Sequence, residues 1–220
     1  MQGTVTGDIA ETRQPYADDV ELVSRCLSGD EVARSELYRK HASMVHSLAW
    51  RLLGDPNEAE DVLQETFLQA FRSLSRYRGE APIASWLRGV TVRCVGRYRR
   101  TRARRRRESR ELPEVIIDPT TPDPARQIDV DLALRRLTAL LSKLAFSRRV
   151  VFVLHEVEGY SLAEAAQILD ISVSAAKKRV WRARHDLERL AQDDDVLSVL
   201  FSSSLAAERS SAAKSPEPAR

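Results

Sequence analysis

The 220-residue chain is poor in glycine (8 residues) and in aromatic rings (6%), and it has 2 cysteines and 4 histidines. Scarce glycine and few rings argue against a sheet-and-turn architecture, while abundant Leu, Ala, Arg and Glu favour helices. Cys26 and Cys94 form no CxxC pair and the histidines show no zinc spacing. A disulfide framework and a metal site are therefore not expected, and two structural cysteines in a reduced cytosol are. The opening "MQGTVTGDIAETRQPYADD" lacks the apolar core of a signal peptide, and no stretch is long and apolar enough to insert in a membrane. No phosphate loop, metal cluster or nucleophile arrangement is present. The expectation is a cytoplasmic protein that is not an enzyme, with no catalytic residues and no cofactor.

Charge, in contrast, is plentiful and unevenly placed. The formal balance is only +3, yet eight arginines crowd into Arg97 to Arg107. Arg far outnumbers Lys, which suits bidentate contacts to phosphate and guanine.

Helical periodicity divides the chain. Residues 1–17 read as disordered. Asp18 or Asp19 can cap a short helix carrying Val20, Val23 and Leu27, closed by Ser28-Gly29. Asp30 caps a longer one with a stripe of Leu37, His41, Met44, Val45, Leu48 and Leu52, stopped by Gly54. Asp55 and Pro56 open a third, with Ala59, Val62, Thr66, Phe67, Ala70 and Leu74 inward. After "RYRGEAP" a fourth carries Trp86, Leu87, Val90, Cys94 and Tyr98 into the arginine run. Residues 18–107 thus form one domain. Residues 108–130 hold Pro113, Pro119, Pro122 and Pro124 among acidic residues and read as a linker. Residues 131–190 form a second helical domain, and 191–220 are an extension. The fold class is all-α, two helical domains on a flexible tether.

"SLAEAAQILDISVSAAKKRVWRARHDLERL", from Ser161 to Leu190, contains a helix-turn-helix pattern. Ser161 and Glu164 make a capping box, Ile171 plugs the turn, and Ser172 or Ser174 caps the second helix. Val180, Ala183 and Leu187 point inward, leaving Lys177, Lys178, Trp181, Arg182 and Arg184 outward. Such a helix fits the DNA major groove, with its first half at base edges and cations on phosphates. On the third helix Asp61, Gln64, Glu65 and Leu68 share the face opposite the apolar stripe, a surface suited to a basic helix.

The segments "EAEDVLQETFLQAFRSLSRYRGEAPIASWL" and "LSKLAFSRRVVFVLHEVEGYSLAEAAQILDISVSAAKKRVWRARHDL" in this order resemble the extracytoplasmic-function (ECF) sigma factors, over roughly Asp18 to Leu190. The resemblance implies a subunit that binds core bacterial RNA polymerase and directs promoter recognition. It implies that Asp61, Gln64, Glu65 and Leu68 dock on the beta-prime clamp helices, with the beta flap as a second contact. It places Arg76, Tyr77, Arg78, Val90, Arg93 and Arg97 at the minus-ten element, and Ser174, Lys177, Lys178, Trp181, Arg182 and Arg184 at the minus-thirty-five element. Partners are then core polymerase, promoter DNA and, as for many members, an anti-sigma factor. Arg93 stands where Asn is common in the family, so promoter sequence does not carry over.

Physical cost supports a partner. Opening about ten base pairs at ~1.4 kcal/mol per step needs on the order of 14 kcal/mol. That matches the whole binding free energy of a typical specific DNA-binding protein, about 11–15 kcal/mol. A chain this small can trap one or two flipped bases, a few kcal/mol each, with Tyr77 as a stacking face. The 108–130 linker, extended, reaches about 75 Å, more than the about 50 Å between two reading heads one and a half DNA turns apart. A stand-alone helix-turn-helix regulator is the competing class. It would bind promoter DNA without polymerase and tolerate Asp61→Arg and Glu65→Arg.

Overall fold

The structure, a computed structural model, describes residues 16–109 and 138–191, and all secondary structure among these residues is helical. The linker residues 110–130 and the extension beyond 191 lie outside the described residues.

Helix α1 spans Ala17–Leu27, α2 Glu31–Leu53 and α3 Pro56–Ser73, followed by a 3-10 turn at Leu74–Arg76 and by α4, Ile83–Ser109. Local signals set the first boundaries. Asp30 accepts from Val32 N and Ala33 N at the start of α2, and Asp55 accepts from Asn57 N and Glu58 N at the start of α3, ahead of Pro56. Gly54 ends α2 at φ 86°, the left-handed conformation that a helix C-terminus favours in glycine. Helices α2, α3 and α4 pack on one another, with α1 laid on α2. Leu37, Leu48, Leu52 and Leu87 are fully buried between them, each worth about 1.5–3 kcal/mol of apolar burial.

The first helix departs from its sequence reading. Its cap position is Tyr16, ahead of Asp18 and Asp19, with no side-chain cap, and Asp19 instead accepts a 2.9 Å hydrogen bond from Ile83 N. Asp19 therefore caps α4, not its own helix. The buried face of α1 is Leu22, Val23 and Cys26, while Leu27 is exposed.

The second domain contains residues 138–143 (α5), α6 at Phe146–Phe152 running into a π-turn at Val153–Val157, α7 at Leu162–Leu169 and α8 at Val173–Ala191. Helices α6 and α7 both pack on α8. The two domains are docked on each other: α4 meets α7, α2 meets α6, and one apolar cluster runs from Leu52 and Leu87 to Leu141, Leu154 and Leu187.

Candidate functional site

The outer face of α3 is built by the burial of its inner one. Val62, Leu63, Thr66, Phe67 and Ala70 are buried, which turns Asp61, Gln64 and Leu68 to solvent. Leu68 is 52% exposed, and α2 adds the exposed Tyr38, whose ring lies 4.7 Å from that of Phe67. Glu65 is half-buried: it accepts from Gln69 Nε2 at 2.8 Å and pairs with Arg97 of α4 at 3.4 Å. The four residues thus share one face. Tyr38 was missed because it sits beside, not on, the apolar stripe of α2.

The loop before α4 forms a second surface. Tyr77 donates from its phenol to Ala81 O at 2.7 Å and sits edge-on to Trp86, ring centroids 6.2 Å apart. Burial, with Asp19 and Tyr16 nearby, pushes the Tyr77 phenol up to about 12. Arg76, Arg78 and Arg93 are exposed and share a cavity of about 400 Å³ with Tyr77 and Trp86. Glu164, Gln167 and Asp170 of the second domain line the same cavity. Val90 does not join this surface. It is 3% exposed within the apolar core, so the expectation that it meets a base is corrected: α4 is covered by its own domain and by α7, and Val90 faces inward.

The arginine run continues α4 and is partly engaged within the chain. Arg97 pairs with Glu65, Arg102 with Glu58, and the Arg99 guanidinium lies 4.7 Å from the Phe146 ring centroid. Burial lowers the Arg99 guanidinium below its ordinary range. Arg100 and Arg105 are exposed.

In the helix pair α7–α8, Ser161 and Glu164 form the reciprocal capping box. Asp170 ends α7 in the left-handed region (φ 53°), where a short polar side chain is tolerated. Ser172 caps α8 through Ala175 N at 3.2 Å, with the exposed Ser174 hydroxyl 3.1 Å away. Burial of Ala176, Val180, Ala183 and Leu187 places Lys177, Lys178, Trp181 and Arg182 outward. Trp181 is 66% exposed and stacks on His185 at 5.9 Å, so it packs against no other domain. Arg184 departs from this group: it bonds Glu156 at 3.1 and 2.5 Å and is half-buried.

Among the described residues, no group of three or more His, Cys, Asp or Glu is arranged to hold a metal ion. No helix among them is long and apolar enough to cross a membrane.

Comparison with known proteins matches two family models, Sigma-70 region 2 over residues 37–105 and Sigma-70, region 4 over residues 134–187. The ECF RNA polymerase sigma factor SigM of Mycobacterium tuberculosis is 31% identical over 173 residues, 78% of this chain and 84% of that protein. The RNA polymerase sigma factor CnrH of Cupriavidus metallidurans is 31% identical over 188 residues, 82% of this chain and 97% of its own length. A solved structure of CnrH in complex with the cytosolic domain of CnrY covers 80% of this chain and 99% of that one, at 28% identity and a TM-score of 0.59.

Proposed function

The chain belongs to the ECF sigma factors of the sigma-70 family, and from that premise we propose how its surfaces divide the work of a subunit that binds core RNA polymerase and directs promoter recognition. The α3 face of Asp61, Gln64, Glu65 and Leu68 docks on the beta-prime clamp helices, with Leu68 as apolar anchor and the acids facing basic residues. Arg76, Tyr77, Arg78 and Arg93 receive the opened minus-ten strand, cations on phosphates and the ring against a base. Lys177, Lys178, Trp181 and Arg182, with Ser174 at the helix start, read the minus-thirty-five element in the major groove, while the beta flap holds the second domain. Arg97 and the exposed arginines beyond it grip upstream duplex. The chain itself supplies no catalytic step, and polymerase places it in the cytoplasm. A protein inhibitor covering both domains is a further partner of this reading; the related CnrH was solved with the cytosolic domain of CnrY.

The observation that carries the reading is the α3 face. Leu68 is half-exposed one turn beyond Glu65 on a helix whose opposite side already supplies the core, so folding does not account for it. The experiment is binding of the purified chain to bacterial core polymerase, beside Leu68→Arg and Asp61→Arg. Tight binding weakened by both substitutions supports the reading. Promoter binding without polymerase that both substitutions leave intact would instead support a stand-alone regulator.

A further inference from the structure

Among the side chains proposed to read duplex DNA, Trp181 is chemically apart. Ser174, Lys177, Lys178 and Arg182 bring hydroxyl, ammonium and guanidinium groups, whereas Trp181 brings an indole that is 66% exposed. An indole that open adds little to the core, which Ala176, Val180, Ala183 and Leu187 supply on the other side of α8. Its polar capacity is a single N–H donor, so it cannot make the bidentate contacts that distinguish guanine or adenine. What it offers is apolar surface. Along the base edges of the major groove, the apolar group is the thymine C5 methyl.

The indole is not left as a free rotor. His185, one turn further along α8, stacks on it with ring centroids 5.9 Å apart and planes 29° apart. Helical side chains lean toward the N-terminus, so a ring at i+4 comes down over the turn that carries residue i. His185 is itself exposed and stands in the C-terminal half of α8, while the N-terminal half of a reading helix is the part that meets base edges. The imidazole therefore approaches the indole from the side away from the bases and leaves the rest of it open. Paired rings attract each other beyond their area of contact. A side chain held in place before binding loses less freedom on binding.

We propose that Trp181 reads a thymine methyl in the minus-thirty-five element, and that His185 is the positioning residue that holds the indole ready for it. This rests on the reading of α8 given above and adds a base to it. Loss of one buried methyl corresponds to about a fourfold loss of affinity. The cations beside the indole, Lys178 and Arg182, contact phosphates or guanine O6 and N7 and are indifferent to that methyl. Methyl sensitivity thus separates the indole from its neighbours.

The test uses holoenzyme assembled from bacterial core polymerase and the full-length chain. Promoter duplexes randomised across the minus-thirty-five element are selected for binding. Each thymine of the selected element, on both strands, is then replaced in turn by deoxyuridine, which lacks only the methyl. The expected result is one thymine whose replacement weakens binding about fourfold, a loss that disappears in Trp181→Ala. In His185→Ala the same replacement should cost less than about twofold, and His185→Phe, which restores a ring, should recover most of the parent's sensitivity. Both positions are exposed, and thermal melts confirm that the variants stay folded. Methyl sensitivity that is absent from the parent, or that persists in Trp181→Ala, overturns the methyl contact and leaves the sigma reading standing. Full sensitivity in His185→Ala, or none recovered by His185→Phe, overturns the positioning role. A holoenzyme that selects no duplex sinks the sigma reading and the methyl contact with it.

Discussion

Arg97 of α4 reaches to 3.4 Å from Glu65 of α3, so one ion pair joins a cation proposed for DNA to an anion proposed for polymerase. The Glu65 side chain is 42% exposed, and an exposed pair of this kind contributes no more than about 1 kcal/mol to stability. Glu65→Arg should therefore leave the melting temperature nearly unchanged while weakening core binding tenfold or more, about 1.4 kcal/mol. Thermal melts and a core-binding titration check this together. A variant that loses stability and affinity in proportion would mean that Glu65 acts through the fold.

Lys177, Lys178 and Arg182 are predicted to carry salt-dependent promoter affinity. Alanine at any one should weaken the holoenzyme's promoter binding and reduce the slope of log affinity against log salt by about 1. Arg184→Ala should change that slope less, because Arg184 is already held by Glu156 at 2.5 Å. Trp181→Ala should cut promoter binding yet leave thermal stability intact, since a side chain in an environment this open buries little. A Trp181 variant with wild-type promoter affinity on several promoters would remove it from the reading surface.

Legibility followed sequence distance. Asp30, Asp55, Gly54 and the Ser161–Glu164 box act within four residues, so their types and spacing announce them. The stripe of α2 was readable because that helix buries one face. Asp19 was misread because its partner, Ile83 N, is 64 residues away. Val90 stood among the apolar positions read for the fourth helix and is buried as they are; its place at the minus-ten element came from the resemblance alone, which says nothing of how α2, α3 and α7 cover α4. The Glu158–Arg51 ion pair spans 107 residues, and a lone acid in "HEVEGY" carries no local sign of it.

The loop before α4 should be intolerant of small changes. Gly79 has φ 72°, and a Cβ there would lie 2.6 Å from Val20 Cγ2. Gly79→Ala combines left-handed strain with that overlap, and a loss of about 1–2 kcal/mol is expected. Asp19→Ala removes the α4 cap for about 1 kcal/mol, and Asp19→Asn, which keeps an acceptor oxygen, should cost less. Urea unfolding of the three variants checks both orders. Equal losses for Asp19→Ala and Asp19→Asn would show that the charge, through Lys40 at 3.8 Å, matters more than the hydrogen bond.

Acid sensitivity should trace to His41. Its Nε2 is buried without a hydrogen-bond partner. Burial first, then the charges of Lys40 and Arg88, hold the imidazole below its ordinary 6.5, with Asp19 pulling the other way. The unfolded chain therefore takes up a proton at a pH where the folded chain still refuses it. In the window just below 6.5 the unfolded state binds more protons, so stability falls as pH falls and is fully present above 6.5. The urea midpoint of the parent should drop between about pH 7.5 and about pH 5, a range above most carboxylate titration. His41→Leu keeps the site apolar and filled, and it should shrink that drop. An undiminished drop in His41→Leu would assign the acid sensitivity to the other histidines or to carboxylates, and would mean that His41 takes up its proton alike in the folded and the unfolded chain.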